Sequence, residues 1–173
     1  MRRRVIFLLG GARSGKSDLA LEMLAKGKGK RGYIATAEAL DDEMTARIHE
    51  HRRRRGPIWE TFEVPIDLPD VLKKLAPTHS FLLVDCLTLW LSNLVTRHNT
   101  NKPVLDRFEA LVEAMKEIKR KLVLVSNEVG MGIVPDHPLG RRYRDLSGLL
   151  HQKVAAASDE VYWVAAGIPL KLK

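Results

Sequence analysis

The sequence of 173 residues is long enough for one domain with a substantial core, and its hydrophobic share of 45% and charged share of 29% are ordinary for a globular protein. One cysteine, Cys86, excludes an internal disulfide and a thiolate metal cage, and no run approaches the ~20 apolar residues of a membrane span. We therefore predict a single domain over residues 1–173, located in the cytoplasm. The formal net charge of +8 is compatible with nucleic acid, an anionic surface or polyphosphates as partners, or with a basic surface that is simply solvated.

Apolar and alternating runs predict strands that take turns with amphipathic helices along the chain. The predicted strands are 5–9, 33–36, 59–64, 81–84, 122–125 and, as the last element, 161–165. The predicted helices are 16–26, 41–55, 68–75, 87–95, 104–119 and 140–157, the last with Leu146, Leu149, Leu150 and Val154 inward. Residues 98–103 are predicted to be a polar loop, and the apolar helix 87–95 suits a core or a subunit interface equally well. The alternation predicts an α/β domain of three layers with a largely parallel sheet, whose ligands bind where the strands end.

A phosphate-binding loop is predicted directly after the first strand, because the G-x-x-x-x-G-K-[ST] pattern there separates a strand from a helix. The loop consists of Gly10, Gly11, Ala12, Arg13, Ser14, Gly15, Lys16 and Ser17. Its backbone N–H groups and the helix dipole suit phosphate oxygens. Lys16 is predicted to reach the β- and γ-phosphates, and the Ser17 hydroxyl to bind Mg²⁺. A chance glycine-rich turn is the alternative, and the strand–loop–helix context disfavours it.

Asp85 follows the apolar run 81–84, which is the position of the acid that holds Mg²⁺ in P-loop enzymes. We predict that Asp85 is a metal ligand together with Ser17. The alternative is that Asp85 caps the helix that starts at Leu87, since aspartate is a good N-cap residue.

The helix 41–55 carries a candidate nucleophile. At about 100° per residue, Met44, Ile48, His51 and Arg55 share one stripe, whereas His49 lies on the opposite side. The arginines around the helix end disfavour a protonated imidazole at His51, which suits a neutral nucleophile that faces phosphates. The alternative is a half-buried histidine at the edge of the core. Further along, the loop 127–135, with two glycines and a proline among apolar residues, is typical of a wall for a large, partly apolar ligand.

Together these segments resemble the bifunctional adenosylcobinamide kinase/adenosylcobinamide-phosphate guanylyltransferase family of cobalamin biosynthesis. The resemblance rests on GGARSGKS at 10–17, YIAT at 33–36, DDEMTARIHEH at 41–51, Asp85-Cys86 and NEVGMGIVP at 127–135, and it spans essentially the whole chain. It implies a RecA-like P-loop fold and a homotrimer. It also implies that ATP or GTP phosphorylates adenosylcobinamide, after which GMP passes from GTP through a histidine to adenosylcobinamide phosphate, giving adenosyl-GDP-cobinamide.

The resemblance assigns the covalent histidine to His51 and, with Mg²⁺, a nucleotide site that extends beyond the P-loop. The further nucleotide-binding residues are Ala35, Thr36, Arg52, Arg54, Arg55, Glu63 and Asp85. The chain departs from the family at 148–152, where Leu149 and His151 replace an arginine and an asparagine of the pattern Gly-Arg-x-Asn-Gln. This departure either weakens one of the two half-reactions or reflects drift on a helix face.

Two other functions fit parts of the sequence. A simple P-loop kinase for a small molecule needs Lys16, Ser17 and Asp85 but no covalent step at His51. A RecA-like NTPase that binds nucleic acid is compatible with the basic clusters. Those clusters lack the aromatic residues on which bases stack, so we expect no nucleic-acid partner.

Overall fold

The computed structural model of the chain describes residues 3–39 and 41–173, and in this range all side chains other than those of Arg47, His51 and Arg54. The described residues form seven strands and six helices. In chain order they are β1 (Arg4–Gly10), α1 (Lys16–Ala25), β2 (Arg31–Ala35), α2 (Asp42–Arg55), β3 (Trp59–Glu63), α3 (Leu68–Leu75), β4 (Phe81–Asp85), α4 (Leu87–Arg97), α5 (Asn101–Glu117), β5 (Lys121–Asn127), α6 (Pro138–Ala157), β6 (Glu160–Ala165) and β7 (Ile168–Lys171).

The strands form one sheet in the order β3-β2-β4-β5-β1-β6-β7, in which every neighbouring pair is parallel except β6 and β7. Alternate residues of β1 enter two different cores, because successive strand side chains point to opposite faces. Val5 and Phe7 pack in the core that α3 to α6 cover, whereas Ile6 and Leu8 pack in the core beneath α1. The α/β three-layer fold with a largely parallel sheet is therefore confirmed.

The ends of four central strands lie side by side at one edge of the sheet. Ala35 of β2 pairs with Asp85 of β4, Asp85 with Val125 of β5, and Gly10 of β1 with Asn127 of β5. The loops that follow these strands therefore meet in one place, as the sequence predicted. None of the helices in the described ranges is long and apolar enough to cross a membrane.

The chain does not end its secondary structure with β6, so the prediction of residues 161–165 as the last strand was wrong. Ala166 and Gly167 both have positive φ (51° and 81°), which is the backbone of a tight two-residue hairpin. The turn returns the chain as β7, antiparallel to β6.

The structure also corrects two smaller predictions, on the start of α5 and on Leu149, and decides between the two roles left open for α4. Residues 101–103 belong to α5 rather than to a loop, because Pro103 sits in the first helical turn, where its missing N–H leaves no hydrogen bond unmade. Leu149 is 44% exposed and does not point inward, because α6 packs through Leu146, Leu150 and Val154. The apolar stripe of α4 is buried inside the chain, which decides for a core rather than an interface.

Candidate active site

The P-loop is fixed at both of its ends by glycines that no other residue can replace without movement. A Cβ on Gly10 would lie 2.2 Å from the carbonyl oxygen of Val164 in β6. Gly15 has φ 92° and immediately precedes α1, where its carbonyl accepts the Leu19 N–H at 3.0 Å. These constraints turn the chain sharply from β1 into α1, so that the first N–H groups of α1 face the cleft edge of the sheet.

Lys16 is a buried cation within this loop. Its ammonium donates to the carbonyl of Gly11 at 2.5 Å and to the Ser14 hydroxyl at 3.2 Å. Burial lowers the pKa of Lys16, and the neighbouring Cys86 and Asp85 oppose that effect. The ammonium and the Asp85 carboxylate are therefore close enough to interact, as the phosphate-binding and metal-binding groups of one site must be.

Asp85 is held from behind by a buried tyrosine and a stacked arginine. The Tyr33 hydroxyl donates to Asp85 Oδ2 at 2.7 Å, and burial followed by the nearby carboxylate raises the pKa of Tyr33 well above its usual value. The Arg55 guanidinium lies 3.6 Å from the centre of the Tyr33 ring, a cation–π distance. Through Tyr33, the carboxylate of Asp85 and the guanidinium of Arg55 are therefore held close together, and both line the cleft described below.

The alternative role of Asp85 as a helix cap is not supported. Cys86, not Asp85, is the N-cap residue of α4, and its side chain makes no capping hydrogen bond. The Asp85 carboxylate instead accepts the Tyr33 hydroxyl.

A cleft of about 1020 Å³ unites most of the predicted nucleotide-binding residues. The predicted residues that line it are Ala12, Arg13, Ser14, Gly15, Lys16, Ser17, Ala35, Arg55 and Asp85. Helix α2 also lines the cleft, through Glu43, Met44, Ala46, Ile48 and Glu50 besides Arg55. The phosphate-binding loop and the helix that contains His51 therefore border the same cleft.

Other predicted site residues lie elsewhere or are only partly described. Thr36 is fully buried and exchanges two hydrogen bonds with the backbone of Cys86, so it joins the ends of β2 and β4. Arg52 forms an ion pair with Glu63, and both are exposed. His51 and Arg54 lie within α2, but their side chains are outside the described part of the structure. The nucleotide-binding roles of these residues stay predictions.

Several residues that line or support the cleft were not singled out from the sequence. Tyr33 was assigned only to a strand, although it holds Asp85, and Leu89 of α4 lines the cleft. Asn127 also lines it, at the start of the loop 127–135 that was predicted to form a wall for the ligand. Asn93 in α4 donates to the carbonyls of Thr36 and Pro65 and so fixes the loop between β2 and α2 from below. A polar residue among the apolar positions of α4 was the only signal of this role.

Ser17 and Asp85 fit a magnesium site of the kind that nucleotide enzymes use. A hydroxyl and a carboxylate are hard oxygen ligands, and Mg²⁺ is usually held by one or two carboxylates with phosphate oxygens and waters. Among the described residues, no group of three or more His, Cys, Asp or Glu side chains forms a metal site by itself. The donor set is thus suited to a metal that arrives with a nucleotide.

The fold and the loop define the class of the protein: an α/β P-loop protein with a RecA-like core. The crystal structure of the RadB recombinase shares this fold, with a TM-score of 0.50, 12% sequence identity, and coverage of 92% of this chain and 73% of that chain.

Sequence comparison then narrows the class to one family. Residues 6–172 match the family described as cobinamide kinase / cobinamide phosphate guanyltransferase. The chain is 47% identical over 166 residues to the bifunctional adenosylcobalamin biosynthesis protein CobP of Pseudomonas aeruginosa, covering 96% of this chain and 95% of that protein. It is 41% identical over 182 aligned positions to the bifunctional adenosylcobalamin biosynthesis protein CobU of Salmonella typhimurium, covering 98% and 99%. The chain belongs to this family of bifunctional enzymes, which confirms the resemblance read from the motifs.

Proposed function

We propose that this enzyme phosphorylates adenosylcobinamide with ATP or GTP, then takes GMP from GTP onto His51 and transfers it to adenosylcobinamide phosphate. The product is adenosyl-GDP-cobinamide. The observation that carries the proposal is the composition of the cleft. Residues of the P-loop and of helix α2 line the same cleft, which supports binding of one nucleotide against both the phosphate-binding loop and the helix proposed to bear the nucleophile.

In the kinase step, the substrate hydroxyl oxygen forms a new bond to the γ-phosphorus. The bond to the β,γ-bridging oxygen breaks, the hydroxyl proton is released, and ADP or GDP leaves. Lys16 stabilises the charge that develops on the phosphate oxygens, as a preorganised cation in a protected site does. Ser17 and Asp85 would hold Mg²⁺, which neutralises phosphate charge when bound.

In the guanylyl transfer, the His51 imidazole attacks the α-phosphorus of GTP and pyrophosphate leaves. A phosphate oxygen of adenosylcobinamide phosphate then attacks the same phosphorus and releases the histidine. Position 51 supports this role, because it lies three residues after Ile48 and four before Arg55, both of which line the cleft. Helix positions with this spacing share one face. His49 is exposed, in agreement with its predicted place on the other face.

Arg55 is the described cation on the α2 wall that suits the phosphates of GTP. It is 8% exposed, and burial lowers its pKa, while Tyr33 and Asp85 act in the opposite direction. A guanidinium stays protonated even when its pKa falls, so its charge is retained next to the phosphates. We further propose that the arginine-rich end of this helix keeps His51 neutral, and therefore nucleophilic, near neutral pH.

The enzyme is further proposed to act in the cytoplasm as a homotrimer. Cys86 is buried, and burial raises its pKa to about 11, so its thiol resists oxidation and says nothing about the redox compartment. The cytoplasmic location is proposed because a chain with one cysteine forms no internal disulfide. The trimer rests on the family resemblance. Light scattering coupled to size-exclusion chromatography measures it directly, and a monomeric mass would contradict it.

A product assay separates the proposal from its alternatives. The enzyme is incubated with adenosylcobinamide, Mg²⁺ and ATP, after which GTP is added and the corrinoids are separated by chromatography. We expect adenosylcobinamide phosphate first and adenosyl-GDP-cobinamide after GTP. Accumulation of the phosphate alone would identify a simple kinase, the outcome expected if the departure at Leu149 and His151 weakens the second half-reaction.

The nucleic-acid alternative is tested by filter binding with a salt titration. A steep loss of binding with salt is expected of a protein that contacts many backbone phosphates. We expect no binding of single-stranded nucleic acid at physiological salt.

A further inference from the structure

A buried polar cluster lies behind the cleft, where β5 ends and α6 packs against the sheet. His151 of α6 is 7% exposed and lies between two partners. Its Nε2 is 2.8 Å from the hydroxyl oxygen of Ser126, and its Nδ1 is 3.6 Å from Glu128 Oε2. Ser147 on the same helix lies farther from Nε2, at 3.4 Å, and the ring packs against Phe7.

The contacts continue from both partners to residues 127–130, which we call the β5 exit. The Ser126 hydroxyl lies 3.2 Å from the Thr88 hydroxyl, whose oxygen accepts the Asn127 N–H at 2.7 Å. The Glu128 carboxylate accepts the Gly130 N–H. The chain of contacts therefore starts at one end of the β5 exit, passes through His151, and returns to the other end.

The chemistry of the two ends favours one direction for the contacts between them. The Glu128 carboxylate lies 3.6 Å from Nδ1, which is longer than a normal hydrogen bond, but its negative charge disfavours a bare nitrogen lone pair there, so Nδ1 is the ring nitrogen expected to bear hydrogen. In a neutral ring Nε2 is then an acceptor, and Ser126 must donate to it. Because Ser126 has spent its single hydrogen, Thr88 must donate to Ser126 while it accepts from Asn127. Burial lowers the pKa of His151 and the Glu128 carboxylate opposes this, which agrees with a neutral ring at neutral pH.

The β5 exit is also joined to the active site. Asn127 lines the cleft, and the Glu128 N–H donates at 3.0 Å to the carbonyl of Gly10, the first residue of the P-loop. Arg144 adds a bond at 2.5 Å to the Gly130 carbonyl. A change in the contacts of His151 would thus be transmitted to the P-loop and the cleft wall, although His151 itself does not line the cleft.

We infer that His151 is a positioning residue, held as the Nδ1–H tautomer, which links Ser126 to Glu128 in a directed chain of polar contacts around the β5 exit and fixes the cleft wall beside the P-loop. The inference concerns a residue that differs from the pattern of the motif at 148–152. It assigns that residue a defined role in this chain rather than drift on a helix face. Its consequence for turnover rests on the proposed function, whereas the tautomer and the order of the β5 exit do not.

Nitrogen NMR of the histidine ring at pH 7.5 tests the tautomer without any substrate. The His151 signals are assigned by their loss in His151→Asn. We expect Nδ1 to resonate as a protonated nitrogen and Nε2 as an unprotonated one. A ring protonated at Nε2, or an even mixture of the two tautomers, would overturn the inference.

Two substitutions separate the contact of Nδ1 with Glu128 from the contact of Nε2 with Ser126. Asparagine places its amide near the position of Nδ1 and can still donate to Glu128, whereas glutamine places its amide near Nε2 and reaches only Ser126. We expect the Gly130 amide to exchange about tenfold faster in His151→Gln than in His151→Asn, the scale of one lost bond to a charged group. Equal exchange in the two variants would contradict the role of the contact with Glu128. Gln152→Leu, at an exposed position of the same helix turn, is the control and should leave the exchange unchanged.

Kinetics then measure the consequence for the reaction. We expect the kcat of the kinase step to fall about tenfold in His151→Gln, with less than about threefold change in the KM for the nucleotide, because misplacement of a site wall affects the transition state most. His151→Asn should recover most of that loss. A merely structural role predicts that both variants lose stability and activity in parallel. If no kinase activity exists in the parent, the proposed function fails, while the NMR results still decide the inference.

Discussion

Removal of one oxygen atom, in Tyr33→Phe, tests how the cleft holds its metal ligand. The Tyr33 hydroxyl donates to Asp85 at 2.7 Å, and Tyr33 is only 3% exposed, so the donor side of this bond to a carboxylate is largely shielded from water. Hydrogen bonds to charged groups contribute about 1.5–3 kcal/mol to the free energy of unfolding, which is the loss we expect. Phenylalanine keeps the ring beneath Arg55, so the stacking contact survives.

The functional effect of Tyr33→Phe follows from the same geometry. A carboxylate that has lost the partner orienting it holds a metal less well, and such losses commonly cost at least about tenfold in affinity. We expect the Mg²⁺ concentration for half-maximal kinase activity to rise by about that factor, with smaller effects at saturating Mg²⁺. Metal titrations of the steady-state rate, with urea unfolding in parallel, measure both quantities.

Tyr162→Phe is the matched control, because the Tyr162 hydroxyl also donates to a carboxylate, Glu160, at 2.6 Å but lies on β6 outside the cleft. It should leave the Mg²⁺ requirement unchanged. If Tyr33→Phe loses stability yet keeps the parent's Mg²⁺ requirement, Tyr33 supports the fold without orienting a metal ligand, contrary to this prediction.

Three further predictions follow from single residues. Lys16→Ala should lower kinase turnover by at least ~10²-fold, because it removes a preorganised charge from the reacting phosphates; near-normal turnover in steady-state assays would contradict its role. Gly10→Ala should lower the free energy of unfolding by at least about 1–3 kcal/mol, because its Cβ would lie 2.2 Å from the Val164 carbonyl oxygen. Gly11→Ala, whose Cβ would meet nothing within 4 Å, is the stability control, and equal urea midpoints would contradict the packing argument. As the pH is lowered below 6.5, the usual histidine pKa, the free energy of unfolding should decrease. The reason is that the pKa of His151 is lower in the folded chain, so the unfolded chain binds more protons than the folded one. Urea unfolding of His151→Asn should show a shallower fall, and an identical pH dependence would contradict this assignment.

The local features of the site could be predicted from the sequence because their signals lie within a few residues. The P-loop is defined by glycines and a lysine at fixed spacing between a strand and a helix, and the structure places these elements as expected. Likewise Asp85 could be located because it directly follows an apolar run. Parallel strands with ends at one edge then bring such residues together without any further information.

Long-range contacts could not be predicted in this way. Nothing near Tyr33 in the sequence indicates that its hydroxyl meets Asp85, because that contact depends on the register between β2 and β4. The apolar pattern of α6 led to the wrong prediction that Leu149 points inward, since residues on both flanks of a helical stripe can satisfy the same periodicity. β7 was missed because it is short and contains Pro169, which is unusual within a strand.

The covalent guanylyl intermediate on His51 is the central claim, and intact-mass spectrometry after incubation with GTP and Mg²⁺ tests it most directly. We expect the parent enzyme and His49→Asn to gain the mass of one guanylyl group, and His51→Asn to gain none. The adduct should be labile in acid and fairly stable in alkali, as expected of a phosphoramidate. If His51→Asn still gains the group, or if the parent never does, the account of this active site is contradicted.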